Sequence, residues 1–274
     1  MINVLRQSTV NALLALGQLL VVLTAGIDLS VGSLLGLCCV AFAKMLKAGW
    51  GTGTAVLATL ALGLALGLIN GLLLTKLKLP HPFVSTLGMM NAARGAALIL
   101  SAGFPISDLP NTARWMGAGE VGPLPAPVIV VALVYGMFYV LLRHTVFGRD
   151  IYAIGGNPEA ARLAGIPVPA RLNAVYSLAG GLAALAAILV AGRMNSGFPL
   201  AGQGAELDAI AAVIVGGGSF FGGVGTVAGT LIGALIMAVL RNGLNLLNVS
   251  AYWQMVVIGG VIVWAVWVDV LRGR

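Results

Sequence analysis

Residues 143–171 read RHTVFGRDIYAIGGNPEAARLAGIPVPAR. The stretch carries Arg143, Arg149, Asp150, Glu159, Arg162 and Arg171 in a chain of which only 8% is charged. Long apolar segments flank it on both sides. Hydrophobic residues make up 59% of the 274-residue chain, and mean hydropathy is +1.03. A soluble domain of this length would expose far more charge. The composition therefore predicts one polytopic membrane domain over residues 1–274, all-α, with the lipid bilayer as its main solvent. The island at 143–171 is then a water-facing loop between two spans.

Working outward from the island, apolar runs near the bilayer-spanning length of about 20 residues predict nine spans. They are Ser8–Thr24, Asp28–Met45, Thr54–Leu74, Phe83–Ser101, Ala126–Leu142, Leu172–Ala191, Leu207–Phe221, Thr226–Arg241 and Tyr252–Val270. The apolar run after Arg6 is read as a span and not as a signal peptide, because it takes part in an internal repeat. Alternation puts Lys76 and Lys78, the island, and Arg272 and Arg274 on one side. The excess of basic residues there makes that side cytoplasmic, together with the C-terminus. Met1 then falls outside. A net charge of +7 without any basic run fits loops near anionic lipid and excludes nucleic-acid binding. Cys38 and Cys39 are adjacent in an apolar run and read as small buried residues.

Sliding the chain by 197 positions aligns residues 11–44 with 208–241 without a gap. Gly26, Gly32 and Gly36 fall on Gly223, Gly229 and Gly233, and Lys44 falls on Arg241. Each copy predicts a helix, a glycine-rich break and a second helix. Transporters are often built from such repeats, with the substrate pathway at their interface. A mid-membrane break frees backbone groups that must face protein or a water-filled cavity. Gly26, Gly32, Gly223 and Gly229 are the candidate hinge glycines. Gly-xxx-Gly spacings at Gly32/Gly36, Gly63/Gly67/Gly71 and Gly225/Gly229/Gly233 predict close helix contact.

Catalytic chemistry is hard to find. No Gly-Lys dipeptide occurs, so there is no phosphate-binding P-loop. His81 and His144 are far apart, and no His, Cys, Asp or Glu cluster has metal-ligand spacing. The chain reads as a transport subunit and not an enzyme, with no cofactor or metal of its own. Ionisable groups within a membrane cost about 2.5–3.5 kcal/mol on insertion scales and call for a reason. Asp28 reads first as the N-cap of the second span and second as a polar group on a pathway. Arg94, within the fourth span, is expected to pair with a carboxylate such as Glu206. Glu206 and Asp208 suit the start of the seventh span, where acidic groups favour the helix dipole. With Ser30, Ser33, Asn91 and Ser219, these residues are the candidate pathway groups.

Inside the island, Gly156-Asn157-Pro158-Glu159-Ala160-Ala161-Arg162-Leu163-Ala164-Gly165 resembles the EAA loop of ABC importer permeases. GIDLSVGSLLGL (26–37), GRDIYAIGGNPEAARLAGI (148–166), GAELDAIAAVIVGGGSFFGGVGTVAGTLIGALI (204–236) and NGLNLLNVSAYWQMVVIGGVIV (242–263) resemble the permease subunits of ribose-type monosaccharide ABC importers. The likeness runs through the whole chain in order. It implies a permease working as a pair with a second copy or close paralogue in the bacterial inner membrane. A cytoplasmic ATPase would hold ATP and Mg, and a periplasmic sugar-binding protein would deliver a ribose-like pentose or a hexose. The loop would form a coupling helix in a groove of the ATPase, through Asn157, Pro158, Glu159, Ala160, Ala161, Arg162 and Gly165. Pro158 is a favoured first-turn residue, and the alanines permit close approach. The architecture would be similar to that of the vitamin B12 importer permease, with about ten spans. Family members usually carry one more span ahead of the segment matching Asn3–Gln7. Two alternatives stay open: a permease of the same superfamily for branched-chain amino acids or nucleosides, and a stand-alone secondary transporter using Asp28 as its coupling carboxylate.

Overall fold

The computed structural model describes residues 2–77, 79 and 81–271. Lys78, Arg272 and Arg274, which bear on the expected orientation, lie outside the described residues. In chain order the helices are α1 (Ile2–Leu23), α2 (Val31–Lys47), α3 (Thr52–Lys76), α4 (Pro82–Ser101), α5 (Asn111–Ala118) and α6 (Ala126–His144). There follow α7 (Val146–Gly156), α8 (Pro158–Leu163), α9 (Val168–Met194), α10 (Ala205–Val215), α11 (Val227–Leu246) and α12 (Ala251–Leu271). Six of them, α3, α4, α6, α9, α11 and α12, are long and apolar enough to cross a membrane.

Each expected span meets a helix, with one clear difference. The seventh, expected to reach Phe221, stops at Val215 because Gly216, Gly217 and Gly218 follow. Gly217 takes a φ of +89° that ends the helical course. At 17 and 11 residues, α2 and α10 fall short of a full crossing by length. The island was expected to hold one short helix and holds two, α7 and α8.

α9 is the central post, largely buried, with α1, α2, α3 and α5 packed around it. The α3 glycines set the closest approach. A Cβ on Gly63, Gly67 or Gly71 would collide with α9 backbone at Gly180, Tyr176 or Asn173. This is the close helix contact that small-residue spacing predicts. α1 is buried along its length from Ala12 to Leu23, Gly17 and Gln18 included. α12 shows the opposite pattern and turns Tyr252, Trp253, Trp264 and Trp267 outward. Cys38 and Cys39 are free and fully buried in α2, as expected.

Two minimal strand pairings close the end of the molecule away from the island. β1 (Ile106–Ser107) pairs antiparallel with β4 (Ser196–Gly197), while β2 (Glu120–Val121) and β3 (Leu124–Pro125) form a hairpin. Arg6 pairs with Glu120 at that end. At the opposite end Thr75, one residue before Lys76, donates to Asn173 at 2.9 Å, so the α3 terminus lies beside the island. The last turn of α12 lies there too, because Asp269 accepts a hydrogen bond from Ser219. The groups expected on one side therefore share one end of the fold wherever they are described.

Both copies of the repeat are helix, break, helix: α1 and α2 around residues 24–30, α10 and α11 around residues 216–226. Gly32 and Gly229, expected as hinges, lie inside the first turns of α2 and α11. They are contact points instead. A Cβ on Gly32 would strike the Gly202 carbonyl and the Glu206 carboxylate, and one on Gly229 the Gly216 carbonyl. Gly36 likewise makes room for the Arg94 guanidinium and not for a helix.

Candidate functional site: the coupling loop and the two breaks

α8 is short but closed at both ends. Asn157 is its N-cap, with Oδ1 accepting from the Glu159 and Ala160 N–H groups at 3.0 Å each. Pro158 occupies the first helical position, where a missing N–H costs nothing. At the other end Gly165 takes a φ of +82°. The Gly165 N–H donates to the Arg162 carbonyl and the Ile166 N–H to the Ala161 carbonyl, both at 3.0 Å. That pair of bonds is a Schellman motif, for which glycine is the preferred residue. Helix propensity over six residues could not hold this turn alone.

The expected coupling residues divide by face. Glu159 and Arg162 are exposed and paired at 3.0 Å. Ala160 is exposed, whereas Ala161 is buried against Ile154 and Val168. The expectation that both alanines offer close approach to a partner is thus corrected: Ala161 anchors α8 to its own subunit. Leu163, 86% exposed on the opposite face, was missed. Its apolar side chain is exposed beside the charged pair. The sequence signal was available, since positions two apart on a helix lie on nearly opposite faces.

α7 carries α8. Thr145 caps it, accepting from the Gly148 N–H. Asp150 accepts from Arg171 Nε at 2.7 Å, joining α7 to the first turn of α9, and the Arg171 guanidinium lies over the Phe147 ring. α8 therefore hangs between two braced helices. The C-terminus of α7 is buried at Gly155, where a Cβ would collide with the Leu23 carbonyl of the first break and the Gly223 N–H of the second. Those two groups are themselves bonded, Gly223 N–H to Leu23 carbonyl at 2.9 Å. Tyr152 donates to the Gly225 carbonyl at 2.8 Å. The helix that precedes α8 thus touches both copies of the repeat where they meet.

The intramembrane polar residues form separate groups and not one site. Asp28 is fully buried and is not the N-cap: α2 starts at Val31 with Ser30 in that position. Asp28 Oδ1 accepts from the Ser30 N–H at 2.8 Å and the Ser30 hydroxyl at 2.6 Å. Asn70 of α3 donates to the same hydroxyl at 2.9 Å. Gln18 of α1, with its amide oriented to satisfy both atoms, bonds the Asp28 backbone N–H and carbonyl at 3.2 and 3.1 Å. Gln18 and Asn70 were missed, although each is a lone amide in an apolar run. Ser33 is buried in α2, and Asn91 is exposed on α4, bonded only to its own helix at Leu87.

Arg94 and Glu206 do not pair. Arg94 donates to the carbonyls of Pro199, Ala201 and Gly32, so it ties the loop before α10 to α2. Glu206 also lies against Gly32, within electrostatic reach of Arg94 but without a direct ion pair. Glu206 and Asp208 stand in the first turn of α10, as expected, and Asp208 is held by Arg241 of α11 at 2.7 Å. Ser219, in the second break, donates to Asp269 at 2.9 Å. Asp269 was missed too, a lone buried carboxylate near the end of α12. Among the described residues no group of three His, Cys, Asp or Glu side chains comes together as a metal site.

The comparisons with known proteins bear on the family. The family model described as "Branched-chain amino acid transport system / permease component" matches residues 1–266. The ribose import permease protein RbsC of Escherichia coli K12 is 46% identical over 97% of this chain and 84% of its own. RbsC of Bacillus subtilis is 46% identical over 98% and 84%. The D-allose transport system permease protein AlsC of Escherichia coli K12 is 39% identical over 98% and 82%. No solved structure matches the chain. With both a family model over nearly its whole length and relatives at this identity, the chain belongs to this family of transport-system permeases.

Proposed function

We propose that the chain is the membrane subunit of an ATP-binding cassette importer for a monosaccharide, a ribose-like pentose or a hexose. The observation that carries this reading is α8, a water-facing turn closed at both ends and joined through Gly155 to both breaks of the repeat. Such an element suits the transfer of motion from a separate ATPase. The named relatives for ribose, xylose, allose and galactose support the sugar class over the amino acids of the family's title. ATP and Mg are then held by that ATPase, a periplasmic binding protein supplies the sugar, and a second permease copy completes the pathway.

The orientation follows. The end bearing α8 and the last turn of α12 is cytoplasmic, and the end bearing β1–β4 faces the periplasm. α1, α2, α3, α4, α6, α9, α10, α11 and α12 make nine passages through the inner membrane, with α2 and α10 completed by the breaks beside them. The arrangement is similar to that of the vitamin B12 importer permease. Asn157, Pro158, Glu159, Ala160, Arg162 and Gly165 shape or present the coupling surface, with Ala161 as its anchor. Of the pathway candidates, Asp28, Ser30, Ser33, Arg94, Glu206, Asp208 and Ser219 hold the helices that border the route, and Asn91 is a candidate to meet substrate directly. Gly26 and Gly223 are the hinges. A stand-alone secondary transporter would need a carboxylate free to change its partners, whereas Asp28 is fully buried and its Oδ1 is committed to Ser30.

The test is ATP-dependent uptake of radiolabelled D-ribose, D-xylose and D-galactose into proteoliposomes holding the permease, its ATPase and its binding protein. Glu159→Arg sets two like charges one turn apart on the coupling surface. It is expected to abolish uptake while the permease still inserts and purifies. Normal uptake in that variant, or gradient-driven uptake by the permease alone, would contradict the reading.

A further inference from the structure

Beneath α8 lies a cavity of about 590 Å³ that none of the interactions above uses. Its roof is Pro158 and Arg162 of α8, and its floor is Thr24 and Gly26 of the first break. Tyr176 of α9 forms the inner wall and is fully buried. Its hydroxyl has no hydrogen-bond partner among the described residues. That is unusual, because a buried phenol without a partner bears the cost of its desolvation uncompensated. The hydroxyl lies against Gly26, where a Cβ would sit 2.7 Å from it.

The remaining polar groups define what could fill the space. Thr24 donates to the Val21 carbonyl, and Thr75 donates within the α3–α9 contact, so each hydroxyl keeps a lone pair to accept with. Arg162 adds donors, its charge already matched by Glu159. Apolar surface from Ile154 and Leu172 separates them. The sum is a cavity with one unpartnered hydroxyl backed by the Asp28 carboxylate, two acceptors, an arginine edge matched by Glu159, and aliphatic walls. Pockets of this size and mixture suit small organic molecules. A molecule whose hydroxyls both donate and accept, around a ring with apolar C–H faces, matches it best. A second cavity of about 650 Å³ at the opposite end is lined by Arg6, Arg193, Arg241 and Asp208 and is too charged for the same description.

We propose that the cavity beneath α8 is a binding site for a neutral, polyhydroxylated ring, the sugar class itself, at the end where the transported molecule is released. This rests on the sugar-permease reading above and extends it. A sugar there would stand between the coupling turn and the first break, and high product concentration would oppose the inward movement of α8.

Both native cysteines are fully buried, so an introduced one can be labelled selectively. The experiment takes Leu172→Cys in the assembled importer and measures maleimide labelling from the coupling side, with D-ribose or D-galactose as probe. Sorbitol, an open-chain polyol, and sodium gluconate serve as comparisons. The two sugars are expected to slow labelling, sorbitol and gluconate far less. Adding Tyr176→Phe, which removes only the unpartnered hydroxyl, is expected to raise the half-protecting sugar concentration roughly three- to tenfold. No protection in an importer that still takes up sugar overturns the proposal, as does equal protection by gluconate or an unchanged response in Tyr176→Phe. If Leu172→Cys fails to assemble, calorimetric titration of the unaltered importer with D-ribose, without binding protein, gives the same decision through Tyr176→Phe. Failure of uptake with every sugar would instead overturn the underlying function.

Discussion

In the first copy of the repeat the break at residues 24–30 is held by side chains, whereas in the second, at 216–226, it is held by backbone. Gln18, Asp28, Ser30 and Asn70 form one buried hydrogen-bonded group that ties α1, the break, α2 and α3 together. The one left-handed residue there is Ala25, with φ +57°. The second break has Gly217, Gly222, Gly223 and Gly225 at positive φ. Its side-chain ties are fewer: Ser219 to Asp269 and to the Phe221 N–H, Thr226 to the Gly229 N–H, and Tyr152 to the Gly225 carbonyl. The same plan has thus been built once as a fixed joint and once as a compliant one. The compliant copy is the one that α7 grips through Tyr152. We read the first break as the anchor and the second as the part that follows the coupling turn.

The comparison can be broken most severely at Gly155. Valine there would drive carbons into the Leu23 carbonyl and the Gly223 N–H, and neither backbone group can yield as a side chain would. Uptake is expected to fall by on the order of a hundredfold, equivalent to about 3 kcal/mol. Transport assays normalised to inserted permease will check this; uptake above a tenth of the native rate would mean that α7 does not act at the meeting point of the breaks. Asp28→Ala comes next. It strips the Ser30 N–H and hydroxyl of their acceptor and is expected to destabilise by about 1–3 kcal/mol in thermal unfolding in detergent. Ser219→Ala in the second break should cost only about 0.6 kcal/mol, the usual worth of a hydrogen bond inside a membrane protein. Equal losses in the two would erase the distinction between fixed and compliant joints. The smallest effect is expected from Ala25→Gly. It relieves a left-handed alanine at the end of α1 and should raise stability by up to about 1 kcal/mol in the same melts, with uptake unchanged.

Much of this was legible before the structure. Of the glycines that align the two copies, Gly32, Gly223, Gly229 and Gly233 sit where backbone meets backbone, so they leave a periodic trace. α8 was legible because Asn157, Pro158 and Gly165 are local instructions for starting and stopping a turn. α7 was not, although Thr145 is a cap signal, because Gly148, Gly155 and Gly156 make it a poor helix in isolation. Its form comes from packing against the breaks and from Arg171. The Arg94–Glu206 pair failed for a different reason. The carbonyls of Pro199 and Ala201 reach Arg94 from a loop more than a hundred positions away, and nothing in local sequence announces backbone acceptors. Gln18 and Asn70 were visible as amides in apolar runs, but only folding shows that both serve the Asp28 turn. The site was therefore readable where its residues act locally and hidden where they join distant segments.

The division of labour between the breaks is tested most directly by hydrogen–deuterium exchange on the assembled importer in lipid nanodiscs, with and without a non-hydrolysable ATP analogue. If α7 and α8 move the second break against a fixed first one, amides of residues 216–226 change their protection on nucleotide binding while those of residues 24–30 hold theirs. A change confined to residues 24–30, or no change in either break while the ATPase binds the analogue, would contradict it.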